Sequence, residues 1–340
     1  MRATVLVVGV ALLQLGFIAS YIGAFHHPTP HRLPLAVVAP AAIEAKVVAG
    51  LNAIDGMPLR AVAVDSTAAG TRKLLDRTVY GVLVVDAHAT TDRLLEASAS
   101  GVSASTAMTL VMDRVEASQH RALDVVDVRP PLPGDQNSLS SFYLVIGWIV
   151  GGYLVAAILG VSAGSRPANV NRATVRLAAI AIYAVFTGLA GALIAGPWLH
   201  ALPSHVLGLW MLGTLLVFGA GAFSMGLQVV AGTIGIGISI LIFVVIGNPS
   251  AGGAYAWPLL PTFWRVVGPW LPSGAGTSAA RGIVYFGGVG IGTNLVVIAT
   301  FGLVGIALVY VVLTDIGHQV LHLPAGARRK DVEVQPAPPA

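Results

Sequence analysis

The sequence predicts an α-helical integral membrane protein of six transmembrane helices, with an extracytoplasmic α/β domain inserted between helices 1 and 2. Three observations carry this. The chain of 340 residues is 56% hydrophobic and 10% charged, with a mean hydropathy of +0.81, where a soluble domain carries about 25% charged residues. Six stretches are apolar over roughly the ~20 residues that cross a bilayer. Residues 26–140 break the pattern, with 10 Lys and Arg against 12 Asp and Glu and short β-rich runs alternating with helical ones.

The first span, near 3–24, follows a single Arg2. Its apolar run is longer than the roughly 7–15 residues of a cleaved signal core, so residues 1–25 are expected to be an uncleaved signal anchor. Within 26–140, strands are predicted at 33–40, 59–65, 79–87 and 123–130, and helices at 40–51, 66–77, 91–98 and 102–120. Pro40 suits a first helical position, where its missing N–H is no loss. Ser66 and Thr91 are expected N-caps. Strands alternating with helices predict a small α/β domain with a largely parallel sheet.

Prolines and Gly134 in "RPPLPGDQNSLSSFYLVIGWIVGGYL" (129–154) close that domain, and the aromatics that follow mark the interface of the second span. Further spans are expected near 141–163, 175–198, 206–227, 229–247 and 293–314, giving a five-helix bundle over 141–318. The fourth and fifth spans nearly run together, so "LQVVAGTIG" (227–235) has to hold a tight turn. Orientation follows from the short loops. With a cytoplasmic N-terminus, Arg2, Arg166, Arg172, Arg176, Arg328, Arg329 and Lys330 all fall inside, and only Arg265 and Arg281 lie in short outer segments. Both termini are then cytoplasmic, in a multi-pass protein of a bacterial plasma membrane. Residues 319–340 read as a polar, proline-rich, disordered cytoplasmic tail.

The segment "NPSAGGAYAWPLLPTFWRVVGPWLPSGAGTSAARGIVYFGG" (248–288) is too broken to span and too apolar for a solvated loop. Pro249, Pro258, Pro261, Pro269 and Pro272 interrupt any long helix. Phe263, Trp264, Val266, Val267 and Trp270 predict an aromatic surface at headgroup level. Residues 278–286 predict another short helix. Arg281 is expected to snorkel to headgroups or to pair with an acidic group of the α/β domain. The segment reads either as an interfacial plug that caps the bundle or as an external gate for an amphipathic substrate. Its candidate residues are Pro249, Pro258, Pro261, Trp264, Arg265, Pro269, Trp270, Pro272, Arg281 and Tyr285.

Several chemistries are excluded or disfavoured. There is no cysteine, hence no disulfide or thiolate metal site. No GxxxxGK[ST] occurs, so ATP is not bound by a P-loop of this chain. The basic excess sits in short clusters beside spans, which argues against nucleic acid. The glycines of "GTIGIG" (232–237) and "GGVGIG" (287–292) read as helix packing or bends. His26, His27 and His31 in "HHPTPH" read as a solvated turn rather than a metal site, and His200 and His205 as interfacial. Ser224 in "AFSMG" only loosely resembles a nucleophile elbow. No Asp or Glu occurs over 136–314, so a proton relay through buried carboxylates is absent there. No catalytic residue, cofactor or metal is assigned, and the chain is not expected to be an enzyme.

Span order, a large insert after the first span, and three sequence regions carry a resemblance. "VVDVRPPLPGDQNSLSSFYLVIGWIVGGYL" (125–154), "YGVLVVDAHATTDRLLEA" (80–97) and the segment 248–288 resemble actinobacterial members of the YhgE/Pip group, relatives of type-2 ABC exporter permeases. The resemblance implies that 248–288 is an outer re-entrant hairpin at an exit. It implies the membrane subunit of an exporter of amphiphilic substrates, energised by a separate ATPase subunit, with two copies pairing. Arg166, Arg172 and Arg176 in "GSRPANVNRATVR" (164–176) are the candidate cytoplasmic partner contact. The alternative is a non-transporting cell-surface receptor, or a secretion-system accessory, acting through the 26–140 domain. Some relatives are described in those terms.

Overall fold

The computed structural model of the chain describes residues 2–321. The basic cluster 328–330 and nearly all of the expected tail lie outside the described residues.

Helix α1 (Arg2–Phe25) is apolar on every face, and Val7, Leu12, Leu15 and Ile22 are exposed along it. A helix that is apolar all round needs lipid or protein on every side. Two residues from its C-terminal end fix it: Ser20 Oγ accepts from Trp264 Nε1 at 3.2 Å, and Phe25 meets the Tyr255 ring.

The α/β domain follows as β1 (Leu33–Val38), α2 (Ala41–Asn52), β2 (Leu59–Ala63), α3 (Thr67–Leu75), β3 (Gly81–Val84), β4 (Thr91–Glu96), α4 (Val102–Ser118) and β5 (Ala122–Asp127). Its sheet has the order β2-β1-β3-β4-β5. Three of the four pairings are parallel, as the alternation predicts. The exception corrects the sequence reading. Residues 91–98 are not a helix, and Thr91 is no N-cap: β4 runs antiparallel to β3, with Gly81 opposite Glu96. "TDRLLE" alternates Asp92 and Leu94 inward with Thr91 and Arg93 outward, the period of a strand. The link 85–90 is too short for a parallel crossover, so a hairpin is the only way back. Ser66 does cap α3, accepting from the Ala69 N–H at 3.2 Å. Pro40 immediately precedes α2.

A 3-10 turn, Pro133–Asp135, leads into the bundle. Its helices are α5 (Ser140–Ala163), α6 (Val170–Leu193) with a π-helical extension Ile194–Trp198, α7 (Val206–Ala231) and α12 (Gly292–Leu321). Among the described residues, Val7–Phe25, Ser140–Ala163, Val170–Trp198, Val206–Ala231 and Gly292–Thr314 make five helices long and apolar enough to cross a membrane. The sixth expected span, 229–247, is the shorter helix Ile234–Ser250, built from α8 (Ile234–Ile240), a π-helical stretch Leu241–Ile246 and α9 (Gly247–Ser250). The predicted turn lies at Gly232, whose φ of +64° a side chain would resist.

Helix α7 is the axis of the bundle, with α5, α6 and α12 packed around it. Small residues let the backbones meet. A Cβ on Gly305 of α12 would stand 2.4 Å from the Ala222 carbonyl of α7, and one on Gly152 of α5 would stand 2.5 Å from the Val217 carbonyl. Close approach through small residues is how helices associate where burial from lipid gains little.

Between α9 and α12 lie a 3-10 turn Trp257–Leu259, α10 (Thr262–Val267), a second 3-10 turn Gly268–Trp270, and α11 (Pro272–Phe286). Helix α11 packs on α5, α7 and α12. One buried cluster joins Ala36, Leu74 and Val82 of the α/β domain to Trp148, Leu216, Ala279 and Ile283 of the bundle side. The two parts share a core.

Candidate functional site

The site is the polar seam where the α/β domain meets α11. Two features bring α11 inside. Pro272 starts it without an unused N–H, and small residues narrow it. A Cβ on Gly274 would stand 2.1 Å from the Gly268 carbonyl, and one on Gly276 would stand 2.7 Å from a Val145 methyl. Arg281 is carried in with it and is only 5% exposed.

Its guanidinium is held by backbone. Nη1 donates to the Gly252 carbonyl at 2.8 Å, and Nη2 donates to the carbonyls of Ser138 at 2.9 Å and Gly253 at 3.0 Å. The two glycines are required by that turn. Gly252 has a φ of +69°, and a Cβ on Gly253 would stand 2.3 Å from the Phe142 ring. Burial lowers the Arg281 pKa to about 10, opposed by Tyr80, Asp135 and Tyr285, so the group stays cationic at neutral pH. Its Nε is buried with no partner. The Tyr285 hydroxyl, one turn further on, donates to Asp135 at 2.6 Å. The other Asp135 oxygen accepts from the Ser140 N–H at 2.8 Å. That places a carboxylate at the start of α5, where the helix dipole favours it.

Arg77 reaches the same seam from the α/β domain. It sits just past α3 with a φ of +57°, at a left-handed position usually held by glycine. That conformation costs about 1–2 kcal/mol in an L-residue. It aims the side chain at α11: Nη1 donates to the Ser278 carbonyl at 2.7 Å and Nη2 to the Val289 carbonyl at 3.2 Å, with the group 5.6 Å from the Phe286 ring centre. Asn294 Nδ2 donates to Ser278 Oγ at 3.1 Å. Arg77 Nε is also buried without a partner. Among the described residues neither arginine makes an ion pair.

Arg77, Tyr80, Trp257, Ser278, Arg281 and Asn294 line a cavity of about 210 Å³. Burial pushes the Tyr80 hydroxyl above its usual pKa, opposed by the charges of Arg281 and Arg77. Beside the cavity, on the flank of the bundle, an apolar groove of about 640 Å³ is lined by Trp210, Met211, Phe218, Ile283, Ile291 and Leu295. What the seam offers chemically is positive potential and N–H donors.

The structure separates the candidate residues of 248–288. Arg281 and Tyr285 belong to the seam. Arg281 neither snorkels nor pairs with a carboxylate, which corrects the sequence expectation. Its helix is buried, and three carbonyls take its hydrogen bonds. Pro249 is buried in α9 and Pro272 begins α11. Pro258 and Pro269 sit in the 3-10 turns, and Pro261 precedes α10. Phe263, Val266 and Trp270 form the expected exposed apolar face, while Trp264 turns back onto α1. Arg265 lines a separate shallow groove with His31, Arg32 and Arg60. Burial and the Arg265 charge hold His31 below its usual pKa.

Of the proposed partner contacts, two are helix caps. Arg166 donates to the Val229 and Val230 carbonyls at 2.9 and 3.0 Å, closing α7. Arg176 donates to the Ala163 and Gly164 carbonyls, closing α5. Arg172 is exposed. Sequence reading missed Arg77, Tyr80, Asp135, Ser278 and Asn294. One signal was available: Asp135 is the last carboxylate before the acid-free interval 136–314, and Arg281 is one of few charges within it.

No protein-family model matches the chain, and no curated protein or solved structure matches it either.

Proposed function

We propose that the chain is the membrane subunit of an exporter of amphiphilic molecules, YhgE/Pip-like and related to type-2 ABC permeases, with a separate ATPase supplying the energy. The observation that supports it is the pairing of an apolar groove on the bundle flank with a polar cavity under the α/β domain. An amphiphile leaving the bilayer sideways needs both environments in adjacent places. In this reading Ile234–Ser250 is a sixth, thin crossing, the α/β domain is extracytoplasmic, and α10 and α11 form the exit. The loop ends around Arg172 face the cytoplasmic ATPase, and two copies pair.

Purification from native membranes in mild detergent tests it. A stoichiometric P-loop ATPase whose hydrolysis rises in the complex supports the exporter. Recovery of the chain alone, with no nucleotide-driven flux of a fluorescent amphiphile, rejects it. A second reading, a surface receptor, is favoured by a groove of about 860 Å³ beside α4, where Leu110 is exposed among Pro28, Val111 and Leu259. It predicts capture of a soluble partner that a Leu110→Glu chain loses.

A further inference from the structure

We propose that the cavity between Arg77 and Arg281 binds the oxyanion of a head group, phosphate or carboxylate, whose hydrocarbon chain lies in the groove of Ile283 and Leu295; this rests on the amphiphile-handling reading and names its substrate class.

Four observations carry it. The first is charge. Two guanidiniums line one small cavity, and among the described residues neither is ion-paired and each keeps a buried Nε without a partner. Asp135, the buried carboxylate nearest in the network, already takes the Tyr285 hydroxyl and the Ser140 N–H. The acid on the cavity wall, Asp76, is exposed to solvent. A guanidinium fork matches oxyanion geometry, and among the described residues no carboxylate fills that fork on either arginine: Asp135 acts on Arg281 only from beyond ion-pair distance.

The second is construction. Arg77 holds the left-handed position that ends α3 and from there enters the seam. Gly282 has no side chain where one would stand 3.0 Å from Arg77 Nη2. The third is a neutral donor. Asn294, in the first turn of α12, lines the cavity and gives one Nδ2 hydrogen to Ser278 Oγ, which leaves its second for a ligand near the positive end of the helix dipole. That donor adds to the two arginines.

The fourth is continuity. Gly290 and Asn294 line the cavity, and their chain neighbours Ile291 and Leu295 line the groove. A hypothetical Gly282 Cβ would stand 2.6 Å from the Ile291 side chain, beside Arg77. Head site and chain site therefore adjoin at one edge, the start of α12. A zwitterionic head group brings its own cation into a space already holding two, so an anionic head is selected.

The test uses the full-length chain, delipidated in detergent and read by native mass spectrometry. Phosphatidylglycerol and phosphatidylcholine of equal chain length are titrated separately, with inorganic phosphate as competitor. The expected result is at least a tenfold preference for phosphatidylglycerol, lost in Arg77→Gln and retained in Arg77→Lys. Leu295→Trp, which fills the groove, weakens lipid binding and leaves phosphate competition for the head site intact. Equal retention of both lipids by the unsubstituted chain overturns the proposal. So does a folded Arg77→Gln chain, judged by its melting curve, that keeps the preference. Phosphate binding as tight as lipid binding and insensitive to Leu295→Trp identifies a free anion as the ligand and also overturns it. Because no ATPase or flux is involved, failure here leaves export of a cationic or neutral amphiphile standing. Conversely, lipid selectivity without any ATPase removes the exporter and keeps the site.

Discussion

The Tyr285 hydroxyl and the Asp135 carboxylate meet at 2.6 Å, tying α11 to the turn that begins α5. Both are buried, and the link crosses from the segment after α9 to the entrance of the bundle. Tyr285→Phe removes the donor and leaves one carboxylate oxygen buried with no hydroxyl to replace it. Such an orphaned acceptor costs about 1–3 kcal/mol, at the upper end for a charged group. The melting temperature in detergent is expected to fall measurably. An unchanged melting curve would show that water or a neighbour satisfies Asp135 equally well.

Arg281 is the larger structural commitment. Arg281→Met keeps the stem volume and strips the donors from the Ser138, Gly252 and Gly253 carbonyls. It also removes a costly buried charge, so the two effects oppose. Three buried carbonyls left open outweigh the relief, and the net loss is expected to be at least about 2 kcal/mol. Limited proteolysis reads it directly. The linker 128–139 should become cleavable, giving one fragment that holds α1 and the α/β domain. If it stays as resistant as before, the Arg281 hydrogen bonds are not what holds the seam closed.

How much of this was legible in the sequence follows from which forces are local. Hydropathy marks α1, α5, α6, α7 and α12 because lipid-facing residues must be apolar whatever the tertiary fold. Gly232 announced its turn because only a residue without Cβ tolerates that φ. Residues 91–98 misled because "TDRLLEAS" has a helix-like composition, and its strand period covers too few residues to stand out. Tertiary pairing with β3 and β5 decided it. The burial of α11 was invisible for a different reason: Gly, Ala and Ser look equally at home in a loop and in a tight helix contact. Arg281 could be flagged as odd, but its carbonyl partners are set by the path of Gly252 and Gly253, which no side-chain pattern records.

The α7–α12 crossing gives a sharper test of packing. Gly305 meets the backbone of Ala222 and Phe223, and a Cβ there would stand 2.4 Å from three of their atoms. Backbone cannot swing aside as a side chain can, so Gly305→Ala forces the helices apart. Overpacking of this kind costs about 1–3 kcal/mol. Gly9→Ala, where a Cβ meets nothing within 4 Å, is the matched control and should leave the melting point unchanged. Equal melting points of the two variants would mean that the crossing yields to an added methyl group.

The α/β domain carries a pH dependence of its own. Glu116 is 3% exposed, beside Asp92 and Arg121. Burial, reinforced by the Asp92 charge and opposed by Arg121, raises its pKa from 4.5 to about 7. A carboxyl whose folded pKa is raised holds its proton in the folded state after the unfolded chain has lost it. Stability from this group is therefore complete below about pH 4.5 and is lost as pH rises through about 7, at up to about 1.4 kcal/mol per pH unit. Glu116→Gln should flatten that slope and raise the melting point at pH 8 more than at pH 5. A slope of the same size in both chains would assign the titration to another group.

Arg172 and Arg176 separate docking from structure. They lie one helical turn apart in α6, yet Arg176 holds the Ala163 and Gly164 carbonyls at the end of α5 while Arg172 is exposed. Arg176→Ala takes both donors from the exposed last carbonyls of α5, and a loss of about 1 kcal/mol is expected. Its effect on any activity is then inseparable from its effect on the fold. Arg172→Ala should change the melting point by no more than about 0.5 kcal/mol, the range of ordinary surface substitutions. That makes Arg172→Glu the informative variant. In the exporter it places a negative charge at the ATPase docking surface and should abolish stimulated hydrolysis with the melting curve intact. Full stimulation in a folded Arg172→Glu chain would remove the loop 164–176 from the docking surface, and with it the only described contact proposed for the ATPase.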